Sequence, residues 1–292
     1  MMRRKSDAAI IPCQLEPSVR DSIESFAEEL QKAAPEIGNH GLSRDDFWRS
    51  GIFRSAIERI RGTLAATTSA KKAFVGDVLD WLTQSNRISR WVEAGANDRH
   101  DYEVFLPGGR VCAIEAKGCL DGNNTNIFQR PANADEFIIW SLCQNPGADP
   151  RHNAWSGIHT RLSAEVVHRR EVVDAVIIWD ELCGTIGRPC PKLQHSGRET
   201  IIASRTVPPP CIYLFPRTVP DARNNPRPPV HRIEDVRFAK ILYDALKCEE
   251  GDLTEVSIEA AMEGTTPARR TVVARKGEVI RSSELSVIKR AR

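Results

Sequence analysis

The chain has 292 residues, 41% hydrophobic and 27% charged, close to the values of ordinary globular proteins. That excludes a small disulfide-stapled scaffold, a wholly disordered chain and a fibrous repeat. Lys plus Arg total 41 against 39 for Asp plus Glu, a net charge of +2, so a polyanionic partner would have to be met by local basic segments.

No apolar run approaches the ~18 residues of a membrane-spanning helix. The basic start Met1-Met2-Arg3-Arg4-Lys5 precedes an apolar stretch too short for a secretory signal, and a cytoplasmic protein with no membrane partner is expected. The eight cysteines, at 13, 112, 119, 143, 183, 190, 211 and 248, form no close repeat and read as reduced thiols.

Residues 18–34 place Val19, Ile23, Phe26, Leu30 and Ala33 at helical spacing. Residues 42–46 read as a cap leading into a second helix over 47–63. A third helix over 69–83 carries Phe74, Val78, Trp81 and Leu82 on one face. The period then changes. Residues 102–106 and 111–117 read as strands flanking Pro107-Gly108-Gly109-Arg110, which predicts a β-hairpin. Residues 118–133, rich in Gly and Asn, read as a loop, and 134–143 as an apolar helix. Residues 162–170 are expected to be helical, and 172–179 and 211–215 to be buried strands. The rest of the Pro- and Arg-rich stretch 187–231 is loop-like. A helix over 233–247 and strands at 256–260 and 270–274 follow, and 264–292 holds eight Lys or Arg against two Glu.

These elements predict an α/β fold, a mixed central sheet flanked by helices. Residues 1–95 would be a mainly helical part packed on the core, 96–250 a catalytic α/β core and 251–292 basic strands and a tail, all within one structural domain.

The segment from Asp101 to Lys117 carries the chemistry. Successive side chains of a strand alternate faces, so Glu115 and Lys117 share one face. Two charged groups in an apolar strand need a reason, because both are depleted in strands and costly when buried unpaired. A three-residue loop of Pro107-Gly108-Gly109 pairs Leu106 with Arg110, Val104 with Cys112 and Tyr102 with Ile114, and sets Asp101 opposite Glu115. A two-residue turn would put the two carboxylates on opposite faces. Paired carboxylates beside a lysine suit Mg²⁺ or Mn²⁺ and the hydrolysis of a phosphate ester.

An Asp, a hairpin with Gly-Gly, then Glu-x-Lys followed by Gly118 resembles the PD-(D/E)XK nuclease superfamily, the fold of many type II restriction endonucleases. The order helix, hairpin, helix, strand continues the resemblance to about Trp179. The resemblance implies Mg²⁺ binding by Asp101 and Glu115, with Mn²⁺ as a substitute, and a water-assisting role for Lys117. It implies an acidic residue on the helix before the hairpin, for which Asp77 is the match, an Asp where Glu is commoner. His100 stands where the family name has Pro.

Other groups carry weaker signals. Asn123, Asn124, Asn126, Gln129 and Arg130 follow the catalytic strand and could bond base edges or phosphates, as could Arg188 and Lys192, the 217–232 segment and the basic tail. The Asn-rich loop is equally readable as a solvated loop, whereas charge runs such as the Arg-rich segments and the tail are more often solvated faces. Cys183, Cys190 and His195 lack paired C-x2-C spacing and read as unligated. His152-Asn153 with His159 reads as a hydrogen-bonding loop. Asp174 reads as a buried acid paired with Arg169 or Arg170, or else as a further metal-site acid. No phosphate loop ending in Gly-Lys-Ser or Gly-Lys-Thr is present, so no ATP is expected.

The expected function is a homodimeric Mg²⁺-dependent endonuclease cutting double-stranded DNA at a short site. The alternatives are a repair, recombination or mobile-element nuclease of the same fold with low sequence specificity, or a catalytically idle DNA-binding protein.

Overall fold

The computed structural model of the chain describes residues 29, 32–36, 40–50, 68–95, 98, 100–117, 130–141, 155–179 and 196–287. Most of the helices expected over 18–34 and 47–63 lie outside them. So do Asn123, Asn124, Asn126, Gln129, Arg188, Lys192, Cys183, Cys190, His195, His152 and Asn153. Helix α1 (Arg44–Ser50) begins as the sequence predicts, with the Ser43 hydroxyl accepting the Asp46 amide at 3.2 Å. Helix α2 (Thr68–Gln84) is the third predicted helix, and α3 (Trp155–Arg169) and α4 (Arg237–Ala245) follow.

The strands are β1 (Arg90–Glu93), β2 (Tyr102–Phe105), β3 (Val111–Lys117), β4 (Glu136–Ser141), β5 (Ala175–Ile178), β6 (Thr200–Ile202), β7 (Arg205–Val207), β8 (Cys211–Leu214), β9 (Leu253–Glu263), β10 (Thr266–Arg275), β11 (Glu278–Ser282) and β12 (Ser286–Val287). Ten form one mixed sheet in the order β1-β2-β3-β4-β5-β8-β9-β10-β11, with β12 paired to β10, while β6 and β7 make a separate hairpin. The architecture is the expected α/β class. No helix among the described residues is long and apolar enough to cross a membrane.

The apolar run expected as a helix over 134–143 contains strand β4, parallel to both β3 and β5. All six of its residues are buried. A strand covered on both faces loses the alternation that distinguishes it from a buried helix, and six residues are too few for a helical period to show. Thus three strands run from Tyr102 to Ser141 before α3 begins, where the sequence suggested a helix between hairpin and strand. The C-terminal strands are longer than predicted: β9 and β10 pair continuously from Glu255–Ala274 to Glu263–Thr266. The β6–β7 hairpin, β11 and β12 were not legible at all.

Two layers of core follow from strand alternation. On one face Tyr102, Val104, Ile114, Ile138 and Trp140 pack against Phe74, Val75, Val78, Leu79 and Leu82 of α2 and against Phe238 and Leu242 of α4. Trp140 stacks on Trp179 at 5.0 Å between ring centres, with Phe74 edge-on to both. Each such side chain contributes about 1.5–3 kcal/mol by leaving water. On the other face Ala113, Phe137, Ile139, Val176 and Tyr213 meet Leu162 and Val166 of α3. Cys112, Cys211 and Cys248 are buried and form no disulfide.

Candidate active site

The hairpin turn fixes the register on which the site depends. Gly108 and Gly109 have φ of +88° and +82°, a region costly for any residue with a Cβ. The Leu106 amide donates to the Arg110 carbonyl at 2.8 Å, and Tyr102 then faces Ile114 and Val104 faces Cys112, the register the sequence predicts. Asp101 lies one residue before β2. Its amide donates to the Ile114 carbonyl at 2.9 Å, and its Oδ2 accepts the Ala116 amide at 2.8 Å. Its carboxylate thus takes the place of a ladder carbonyl against the amide of the residue that follows Glu115.

Glu115 is buried, with its Cα opposite Ile139 of β4, on the α3 face by alternation with Ala113. Lys117 ends β3, its backbone paired with Ser141. The three residues therefore gather at the carboxyl ends of the parallel strands β3 and β4. In open α/β sheets that is where ligands are bound.

A cation that sequence reasoning missed reaches the same place. Lys72, in the first turns of α2, lies with Nζ 3.7 Å from Asp101 Oδ1. Its backbone is held too, because the Tyr102 hydroxyl donates to the Lys72 carbonyl at 3.4 Å. Burial, then the charges of Asp101 and Glu93, pushes the Tyr102 phenol far above its ordinary range, so it remains a donor. Nothing in the spacing of Lys72 and Asp101 announces this contact; α2 packing creates it. His100, where the family name has Pro, is buried with Nε2 3.4 Å from Glu103 Oε1, and Glu103 accepts a hydrogen bond from the Asn133 side chain at 2.8 Å.

Asp77 is engaged elsewhere. Its Oδ2 accepts from Arg205 Nε of β7 at 2.9 Å, and it belongs to the helix covering the face opposite that of Glu115. Arg130 is likewise drawn into an internal pair, its guanidinium donating to buried Asp174. Asp174 also accepts the Phe137 amide at 2.7 Å and meets His231 Nε2 at 3.0 Å. The expectation that Asp174 pairs with Arg169 or Arg170 is therefore corrected: Arg169 pairs with Glu165 and Glu171. Asp174 precedes β5, at the opposite end of the parallel strands from Lys117, where the segment carrying Arg130 enters β4 and the His231 amide donates to the Phe215 carbonyl at 2.9 Å. Sequence proximity favoured the wrong arginines. At that same end Glu136 is buried and accepts the Arg237 and Phe238 amides at 2.8 and 2.9 Å, capping α4, with Arg110 at 3.2 Å.

Among the described residues no three His, Cys, Asp or Glu side chains converge into a metal cage. Mg²⁺ does not require one, because it keeps several waters and takes one or two carboxylates. Asp101, just before β2, and Glu115 of β3 are hard oxygen donors, so their chemistry fits such an ion. No family model matches this chain, and no curated protein or solved structure is detectably similar to it.

Proposed function

We propose that this chain is a Mg²⁺-dependent nuclease that hydrolyses phosphodiester bonds of double-stranded DNA, working as a homodimer at a short site in the manner of a type II restriction endonuclease. The observation that supports the reading is Asp101 docked on the amide of Ala116, the residue between Glu115 and Lys117. Asp101 and Glu115 would hold the ion, with Mn²⁺ as a substitute. When bound, Mg²⁺ supplies positive charge that offsets the charge developing on the phosphate.

The remaining work falls to the chain itself. Lys117 orients the attacking water and holds its proton, and the low exposure of Glu115 strengthens electrostatic interactions at the strand ends. The Gly-Gly turn keeps the two acids in register. The test is incubation of supercoiled plasmid and linear phage DNA with Mg²⁺. Discrete fragments support site-specific cleavage, and smears support a nuclease of low specificity. Retained cutting in D101N, E115Q and K117A alike would overturn the assignment.

A further inference from the structure

Lys72 is unused by the reading above, yet its ammonium forms an ion pair with Asp101. At 3.7 Å it is too far for a strong hydrogen bond, and the side chains of Lys72 and Asp101 are 41% and 24% exposed. A solvated pair of this kind is weak. A divalent ion, with twice the charge and a direct bond to the carboxylate, displaces it readily. The helix itself does not leave, because Tyr102 holds the Lys72 carbonyl and Phe74, Val75, Val78 and Leu79 are buried against the sheet. A displaced Lys72 side chain therefore stays at the site with a free ammonium, next to the place where a phosphodiester must lie.

We propose that Lys72 is an exchanging counter-ion: it neutralises Asp101 in the metal-free protein and, once a divalent ion takes Asp101, binds a backbone phosphate of the nucleic-acid substrate. This inference rests on the reading of Asp101 as a metal ligand. It also gives the site a basic flank that a protein of near-zero net charge needs locally. Lys72 competes with the ion for Asp101, so removing its charge strengthens metal binding. A lysine that merely braced Asp101 would have the opposite effect, because its loss would loosen a ligand.

The test uses the full chain and Mn²⁺ as the probe, titrated without DNA by calorimetry in wild type, K72Q, K72R and D101A. K72Q is expected to bind Mn²⁺ about three- to tenfold more tightly, from relief of repulsion between an ammonium and a divalent ion a few ångströms apart. K72R should match wild type, and D101A should lose the site. Binding of a short mixed-sequence duplex is then measured against salt, with Mn²⁺, on a K117A background that keeps both carboxylates. There K72Q should reduce the salt slope by about one, the signature of one lost phosphate contact. Unchanged or weaker Mn²⁺ binding in K72Q, or an unchanged salt slope, overturns the role of Lys72 while leaving the metal site standing. A wild-type protein with no Mn²⁺ binding that D101A removes overturns the metal-site reading and this inference together.

Discussion

The carboxylate of Asp101 and the backbone amide of Ala116 are hydrogen-bonded at 2.8 Å, so that at the mouth of the β2–β3 hairpin a side chain does what a strand carbonyl does elsewhere in the ladder. Charge and strand pairing are thereby joined in one residue. The same contact that closes the sheet sets an acid against the residue that follows Glu115, and it makes the two roles of Asp101 separable by substitution.

D101N keeps an oxygen that can accept the Ala116 amide, whereas D101A leaves that amide without its acceptor. D101A should lower stability by about 1–2 kcal/mol, while D101N should melt close to wild type. Both should abolish Mg²⁺-dependent cleavage. Thermal denaturation alongside plasmid cleavage checks this, and a D101N protein that still cuts DNA contradicts the assignment.

Asp77 is the acid that the resemblance would place in the site, but in the fold it pairs with Arg205. The pair is partly exposed, so D77N and R205Q should each cost no more than about 1 kcal/mol, with little further loss in the double variant. Cleavage should stay within a few-fold of wild type. A D77N protein that melts normally and has lost cutting would return Asp77 to the catalytic set.

Asp174 gathers Arg130, His231 and the Phe137 amide around one buried carboxylate. Removing it strands all three, and D174A should destabilise the protein by about 3–5 kcal/mol as measured by denaturant unfolding. Mn²⁺ binding at Asp101 should survive wherever D174A remains folded. Loss of metal binding in a folded D174A protein would make Asp174 a metal-site acid after all.

Glu136 supplies a pH test. Burial raises its pKa, opposed by the Phe238 and Arg237 amides and by Arg110. A folded-state pKa above the unfolded value means the folded protein holds this proton more tightly. The resulting stabilisation is complete below the ordinary glutamate range and is lost as pH rises through the folded pKa. Relative to E136Q, wild type should therefore gain melting temperature as pH falls through the window just above that range. A gap between the two that is constant or narrows in wild type's disfavour on acidification contradicts this account.

Local pattern was enough for the hairpin. Buried Tyr102 and Val104 alternate with half-buried Glu103 and Phe105, and Gly108 and Gly109 permit the positive φ that a three-residue turn needs, so the register of β2 on β3 could be worked out residue by residue. The same held for α2, β5 and β8, whose apolar patterns were long enough or uniform enough to read, while α3 was legible only from residue 162 onward. Strand β4 was misread because burial on both faces erases its period. Tertiary packing alone decided the charge partners. Coulomb and hydrogen-bond contacts depend on distance in space, and the folded chain brings Arg130 and His231, not Arg169, to Asp174, Arg205 to Asp77 and Lys72 to Asp101. The sequence by itself determined the fold class and the register of the hairpin; the packing of α2 against the sheet decided which cation stands beside Asp101, because only a folded helix carries Lys72 to the start of β2.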